Sequence, residues 1–268
     1  MSATWYCCRQ RAGPLVKECR ALRPRLTAES AADEASKREL RRKENGTFER
    51  RQVDRLELRL ALLGYQSSMH TLTFDNAHLP RDFREVRAAL VNFFKRAQRW
   101  RAGLEKPPAF DYAYAIEGLH GNRRYHVHIA TRDEDLCPAE VDYLWRNGIV
   151  DNEPVLIKRL LYEPRTGKPL IDEATGKQAF VYEGGFRRLA EYLNKERTDG
   201  FIIPIGRHPW SCSRTLTDKL PPPEKWRETD GGIVVPEDAV WSRRGKNEND
   251  FGVYEYASWI EHPAHATD

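Results

Sequence analysis

The segment Tyr125-His126-Val127-His128-Ile129 sets two histidines two residues apart between apolar neighbours. On a β-strand successive side chains point to opposite faces, so His126 and His128 share one face and Val127 takes the other. Two imidazoles on one face of a rigid sheet make half of a metal site. Upstream, the run YAYAIEG ends with Glu117 and Gly118, which places an oxygen ligand at the end of another strand-like segment. Downstream, Tyr192 and Lys195 are spaced to put a phenol and an ammonium one helical turn apart. Metal, phenol and ammonium together suggest phosphodiester chemistry with the tyrosine as a covalent nucleophile.

These groups need elements to hold them. Residues 69–74 (MHTLTF) read as a strand. After Pro80, the residues Phe83, Val86, Leu90, Phe93, Phe94, Ala97 and Trp100 recur at helical spacing and form a core-facing stripe. Residues 110–117 and 123–131 read as a hairpin carrying both histidines on its second arm. Pro138 opens a short helix to Trp145, Gly148 closes it, and Ile149-Val150 begins another extended segment. Two turns, at Thr166-Gly167 and Thr175-Gly176, mark residues 151–183 as an inserted, exposed hairpin. A helix from Gly185 carries Phe186, Leu189, Ala190 and Leu193 inward, with Tyr192 and Lys195 beside that face.

At the N-terminus, residues 1–35 show no periodicity and contain Pro14 and Pro24, so they read as loosely ordered. Residues 36–62 read as helical, broken at Gly46 and closed by Gly64. Residues 201–260 are rich in Pro, Trp and Gly and read as a wrapping tail of short elements. The fold expected is α+β, an antiparallel sheet with helices packed on one face and a site on the other. Three segments are expected: a basic, partly helical N-terminal arm (1–62), a central domain (63–215) with an insertion at about 151–183, and an irregular extension (216–268).

Charge sharpens the choice of partner. The chain has 44 Lys and Arg against 40 Asp and Glu, a net +4. Residues 1–60 hold 15 basic and 9 acidic side chains, a balance of +6, so the remainder sums to 4 − 6 = −2. A basic arm ahead of a near-neutral body suits a polyanion, with Arg41, Arg42 and Lys43 on the arm and Arg123 and Arg124 beside the histidines. The five cysteines match no disulfide framework, and no C-x-x-C or H-x-x-x-H completes a zinc knuckle. No apolar run approaches the ~20 residues of a membrane span and no leader opens the chain, so a cytoplasmic protein is expected.

Three stretches resemble the single-tyrosine HUH endonuclease superfamily, in particular rolling-circle replication initiator (Rep) proteins of bacterial plasmids, phages and integrative elements. The stretch from His70 to Phe74 (HTLTF) is similar to the first motif, Tyr125 to Ile129 (YHVHI) to the metal-binding second, and Leu189 to Glu196 (LAEYLNKE) to the helical Y-x-x-K third. The motifs lie in that order, about 55 and about 65 residues apart. Trp145 to Gly148 (WRNG) and Trp210 to Arg214 (WSCSR) extend the resemblance across residues 40–215. His70 stands where the family's strand is more often apolar.

The resemblance implies an HUH or RRM-like, ferredoxin-like sheet. It implies a metal-dependent DNA nickase and strand transferase that starts rolling-circle replication on single-stranded or origin DNA. His126, His128 and Glu117 would bind Mg²⁺ or Mn²⁺, with Glu117 preferred to His120 as the third ligand. Tyr192 would attack phosphorus, giving a 5′-phosphotyrosine and a free 3′-OH. A phenol of pKa about 10 is a poor nucleophile at neutral pH, so Lys195 and the metal would favour the phenolate. A host helicase and polymerase are the implied partners, since no Walker A motif is present. A relaxase or single-strand transposase would use the same residues. A non-enzymatic single-stranded nucleic-acid binder, stacking bases on Tyr112, Tyr114 and Tyr125, and a metal hydrolase acting through water are the rivals from other classes.

Overall fold

In a computed structural model of the protein, residues 4–22, 47–118, 124–173, 175–195, 210–249 and 252–263 are described. Their elements in chain order are β1 (Trp5–Ala12), β2 (Leu15–Leu22), α1 (Thr47–Ala61), β3 (Ser67–Phe74), α2 (Phe83–Gly103), β4 (Tyr112–Glu117), β5 (His126–Arg132), α3 (Pro138–Leu144) and β6 (Gly148–Pro154). They continue with β7 (Lys158–Leu160), β8 (Phe180–Tyr182), α4 (Gly185–Leu193), β9 (Trp210–Cys212), α5 (Arg214–Asp218), β10 (Glu224–Glu228), β11 (Trp241–Asn249) and β12 (Gly252–Ile260). The chain is α+β, with antiparallel sheets. No helix among the described residues is long and apolar enough to cross a membrane.

The chain divides into two compact units. One comprises residues 59–156 and 186–220, and the other residues 1–58, 157–185 and 221–268. Residues 157–185 group with the two terminal segments.

The first of these units is built on a sheet of order β6-β3-β5-β4-β9. Alternation along β3 and β5 sends Leu72, Phe74, Val127 and Ile129 to one face, where they pack with Val86, Leu90, Phe93 and Ala97 of α2 and Val141 and Leu144 of α3. Helix α2 starts where the Asp82 carboxylate accepts from the Arg84 and Glu85 amides at 2.8 and 3.0 Å. Trp145 packs edge-on against Phe74 and Phe93, and its indole N–H donates to the Thr73 carbonyl at 3.2 Å. Gly148 opens β6 rather than merely closing α3. Its φ is +152°, and a Cβ there would lie 2.1 Å from the Thr73 carbonyl oxygen. Trp145 and Gly148 of the WRNG stretch thus both lie against the backbone of Thr73.

The other unit overturns two expectations. Residues 5–22 are a β1–β2 hairpin, with Gly13 (φ +52°) and Pro14 in its turn. The carboxyl-terminal residues are not irregular, because β10, β11 and β12 join that hairpin in a sheet of order β10-β1-β2-β12-β11. Val16, Ala257 and Trp259 pack on one face of it with Val235. On the other face Lys17 donates to Asp54 and Glu57 of α1 at 2.9 and 2.7 Å. The insertion forms the β7–β8 pair with its two expected turns, and Asp172 within it pairs with His262 at 3.1 Å. Arg41, Arg42, Lys43, His120 and Arg123 lie outside the described residues.

His70 is fully buried on the helix-packed face of β3. Its Nδ1 lies 2.6 Å from Asn152 Oδ1 and its Nε2 2.9 Å from Thr131 Oγ1, which donates on to the Leu136 carbonyl. Burial is the main influence on this ring and pulls its pKa below the ordinary value, so the folded state holds it neutral. The unfolded chain takes up a proton there below about pH 6.5, and stability therefore falls as pH drops through that value. Urea unfolding between pH 7.5 and 5 should show this loss. His70→Gln should cost about 1–3 kcal/mol at pH 7.5. It should also flatten the acid slope by up to about 1.4 kcal/mol per pH unit. An unchanged slope in the variant would assign the loss to other groups.

Candidate active site

The second face of the β6-β3-β5-β4-β9 sheet carries the candidate site residues. Register places Thr73 opposite His126 and Thr71 opposite His128 on one side of β5, with Glu117 opposite His126 and Ala115 opposite His128 on the other. All six alternate away from the packed core. The expected shared face of His126, His128 and Glu117 is present.

Each imidazole is held from behind by a threonine. Thr73 Oγ1 lies 3.1 Å from His126 Nδ1, and Thr71 Oγ1 lies 3.1 Å from His128 Nδ1. With Nδ1 engaged, Nε2 is the nitrogen left for ligation, the arrangement that outer-shell partners impose on metal-binding histidines. Sequence reasoning matched the HTLTF stretch but gave these hydroxyls no role. The signal was present, since Thr71 and Thr73 repeat the two-residue spacing of the histidines.

Glu117 joins three elements. It is 9% exposed, and its Oε2 accepts from His128 Nε2 at 2.9 Å and from Lys195 Nζ at 2.9 Å. Burial alone would raise this carboxyl, but the bonds from His128 and Lys195 together hold it below the ordinary carboxylate range. Burial dominates at His128 and lowers its pKa against the opposing pull of Glu117, so the ring is neutral near pH 7. At Lys195 burial works to lower the ammonium pKa, but Glu117 and the Tyr192 phenol overcome it and raise the value. The lysine is therefore a cation, not a base.

Tyr192 reaches this group from α4. Its ring meets His128 edge-on, with centroids 5.3 Å apart at 77°, and the Lys195 ammonium sits 3.8 Å from the Tyr192 centroid. Tyr192 is 40% exposed, so its hydroxyl is reachable by a large substrate. The helix was expected to carry both groups one turn apart, but α4 ends at Leu193. Asn194 turns the chain there, its backbone bonded to the Glu191 carbonyl and its side chain donating to the Ala190 carbonyl at 2.8 Å. Lys195 lies beyond that turn and still meets Tyr192.

Tyr182, the tyrosine nearest before Tyr192 in sequence, belongs to the other unit, is buried, and has its phenol pushed up to about 12 by that burial. Arg124 is exposed just before β5. No set of three or more His, Cys, Asp or Glu among the described residues is arranged as a ready metal cage. The donors do fit a divalent cation in kind, with two imidazoles engaged at Nδ1 and one carboxylate, a set that favours Mn²⁺ over Mg²⁺. Glu117 currently serves His128 and Lys195 instead.

Comparison with protein-family models, with curated proteins and with solved structures gives no match for this chain. The functional reading rests on the residues and their geometry.

The coupling among Glu117, His128 and Lys195 has opposite consequences for two substitutions. Lys195→Met removes a nearby cation and leaves Glu117 to His128 alone, so His128 should titrate at higher pH than in the parent protein. Glu117→Gln removes the carboxylate that favours imidazolium, so His128 should titrate lower. Imidazole C–H shifts followed by NMR across the pH range report both. Shifts in the same direction would break this account of the cluster.

Proposed function

We propose that the protein nicks and rejoins single-stranded DNA, with Tyr192 as the covalent nucleophile, in the manner of an HUH-type replication initiator. The observation that carries the reading is the meeting of Tyr192, Lys195, Glu117 and His128 on the face that also bears His126. A phenol edge-on to a candidate ligand histidine and beside an ammonium supports attack on a phosphodiester.

The chain's own groups account for most of the step. The exposed Tyr192 hydroxyl gives its proton to solvent as it attacks, and the Lys195 ammonium beside the ring faces the phosphate's developing negative charge. The phenolate oxygen bonds to phosphorus while the bond from phosphorus to the 3′ oxygen breaks. That oxygen recovers a proton from solvent, leaving a 5′-phosphotyrosine and a 3′-OH that can prime synthesis. A divalent ion held by His126, His128 and Glu117 would polarise a non-bridging phosphate oxygen and offset its growing charge. Thr71 and Thr73 fix the two rings, and Lys195 must release Glu117 for that carboxylate to serve as a ligand. The reverse attack of a 3′-OH on the phosphotyrosine rejoins the strand.

Incubating the protein with single-stranded DNA and Mn²⁺, then resolving it on a denaturing gel, tests the proposal. A shifted protein–DNA adduct is expected, absent with EDTA and absent in Tyr192→Phe, which keeps the ring and its packing. Peptide mapping should find the nucleotide on Tyr192. Attachment at another residue, or cleavage without any adduct, would replace this reading with another nucleophile or with water. Thr71→Val and Thr73→Val should raise the Mn²⁺ concentration needed for half-maximal adduct by about 10- to 100-fold in protein that still unfolds cooperatively.

A further inference from the structure

The sheet β10-β1-β2-β12-β11 confines its carboxylates to one face, where arginines and Lys246 accompany them. Pairing aligns Tyr6 with Arg227, Cys8 with Lys225 and Cys19, Tyr254 with Ala21, Tyr256 with Cys19 and Gly245, and Ser258 with Arg243. Side chains opposite one another share a face, so three tyrosines and the cations Lys225, Arg227 and Arg243 lie together. The carboxylates of the same strands, Glu18, Glu224, Glu228, Glu248 and Glu255, all fall on the other face. There Glu255 and Glu228 pair with Arg20, beside the apolar cluster of Val16, Ala257 and Trp259.

The tyrosine-bearing face is shaped for flat, aromatic, anionic material. Tyr6 and Tyr254 are 46% and 45% exposed, and Lys225, Arg227 and Arg243 are exposed. Arg227 lies 5.0 Å from the Tyr6 centroid, Arg243 lies 5.9 Å from that of Tyr256, and the Tyr254 and Tyr256 rings are 6.2 Å apart. Small residues lie between the rings. At Gly245 an added Cβ would be 2.4 Å from the Tyr256 ring, so the ring lies flat across that position. The acidic Asp54 and Glu57 of α1 reach this face at Lys17, which bonds to both.

We infer that this face binds a single-stranded polynucleotide, with phosphates on Lys225, Arg227 and Arg243 and unpaired bases stacked on Tyr6 and Tyr254. Stacking uses the π-face that every base has, so binding tolerates sequence. A duplex hides those base faces, and an acidic peptide would leave the tyrosines without a role. The inference stands on this sheet alone and does not require the nicking reaction.

Neighbouring arginines on opposite faces supply the test. Anisotropy of a labelled oligo-dT of about 20 nucleotides is measured with the full chain across a salt series. Arg243→Glu should weaken binding about tenfold and reduce the salt slope by about 0.7, whereas Arg244→Glu makes the same charge change on the other face and should leave affinity within about twofold. Tyr6→Leu and Tyr254→Leu should each weaken binding about tenfold with the slope unchanged. Circular dichroism identifies any variant that fails to fold, and 4-thiothymine crosslinks on the parent protein should map to peptides holding Tyr6 or Tyr254. Equal losses from Arg243→Glu and Arg244→Glu, crosslinks confined to residues 59–156 and 186–220, or a blunt duplex competing as well as the single strand would each overturn the inference. Adduct formation at Tyr192 is a separate readout. Its absence alongside intact oligo-dT binding would remove the nicking reading and leave this one in place.

Discussion

A carboxylate removed from water must be paired, because the desolvation of an isolated charge costs several kcal/mol. Glu117 meets that demand by drawing two donors onto one oxygen, His128 from the adjacent strand β5 and Lys195 from beyond α4. That single requirement links strand β4, strand β5 and the segment bearing Tyr192. It also fixes the charge states of the cluster. Its two donors hold the carboxyl ionised and Glu117 and Tyr192 hold the amine protonated, both against burial, while burial keeps the His128 ring neutral. Such a group can exchange partners, since a divalent ion brings the positive charge that Lys195 otherwise contributes to Glu117.

The sheet turns this pairing into a site with defined geometry. Leu72, Val127 and Ile129 are fully buried on one face, and their neighbours in sequence are thereby committed to the other. A register slip of one residue would carry the apolar set into the site and the imidazoles into the core, so the packing of α2 and α3 protects the positions of His126 and His128. Trp145 and Gly148 reinforce this at one strand end, with an indole bond and a close backbone approach at Thr73. The face bearing the histidines inherits rigidity from the face packed against α2 and α3.

What the sequence made legible follows from the range of the interactions involved. The α2 stripe, the His-x-His strand and the α4 helix are local patterns, and each formed where its periodicity placed it. Residues 5–22 read as loosely ordered because β2 pairs with β12, more than two hundred residues away, and that partner is invisible to a local window. Strands β10 and β11, with sequences EKWRE and WSRRGKNEN, are too polar to announce themselves and are extended through their pairing with β1 and β12. Lys195 shows the opposite error. The three-residue spacing implied a continuous helix, whereas Asn194 ends it, and the contact with Tyr192 survives through a turn.

The pattern T-L-T on β3 satisfies three demands at once, and the third concerns proton bookkeeping at the imidazoles. Leu72 fills the core, and β-branched threonines suit an interior strand. With His128 Nε2 bonded to the Glu117 carboxylate, the ring proton sits on Nε2 and Nδ1 accepts from the Thr71 hydroxyl. If Nε2 instead gives its lone pair to a cation, the proton must move to Nδ1, and the neighbour must become an acceptor. A hydroxyl makes that change by rotating one hydrogen, with no heavy atom displaced. Valine at position 71 would leave Nδ1 without a partner in both states, and a backbone carbonyl would serve only one of them. Threonine therefore lets the same rigid strand support the closed pairing with Glu117 and a ligating imidazole, which is the change of state that the proposed metal-assisted reaction would require.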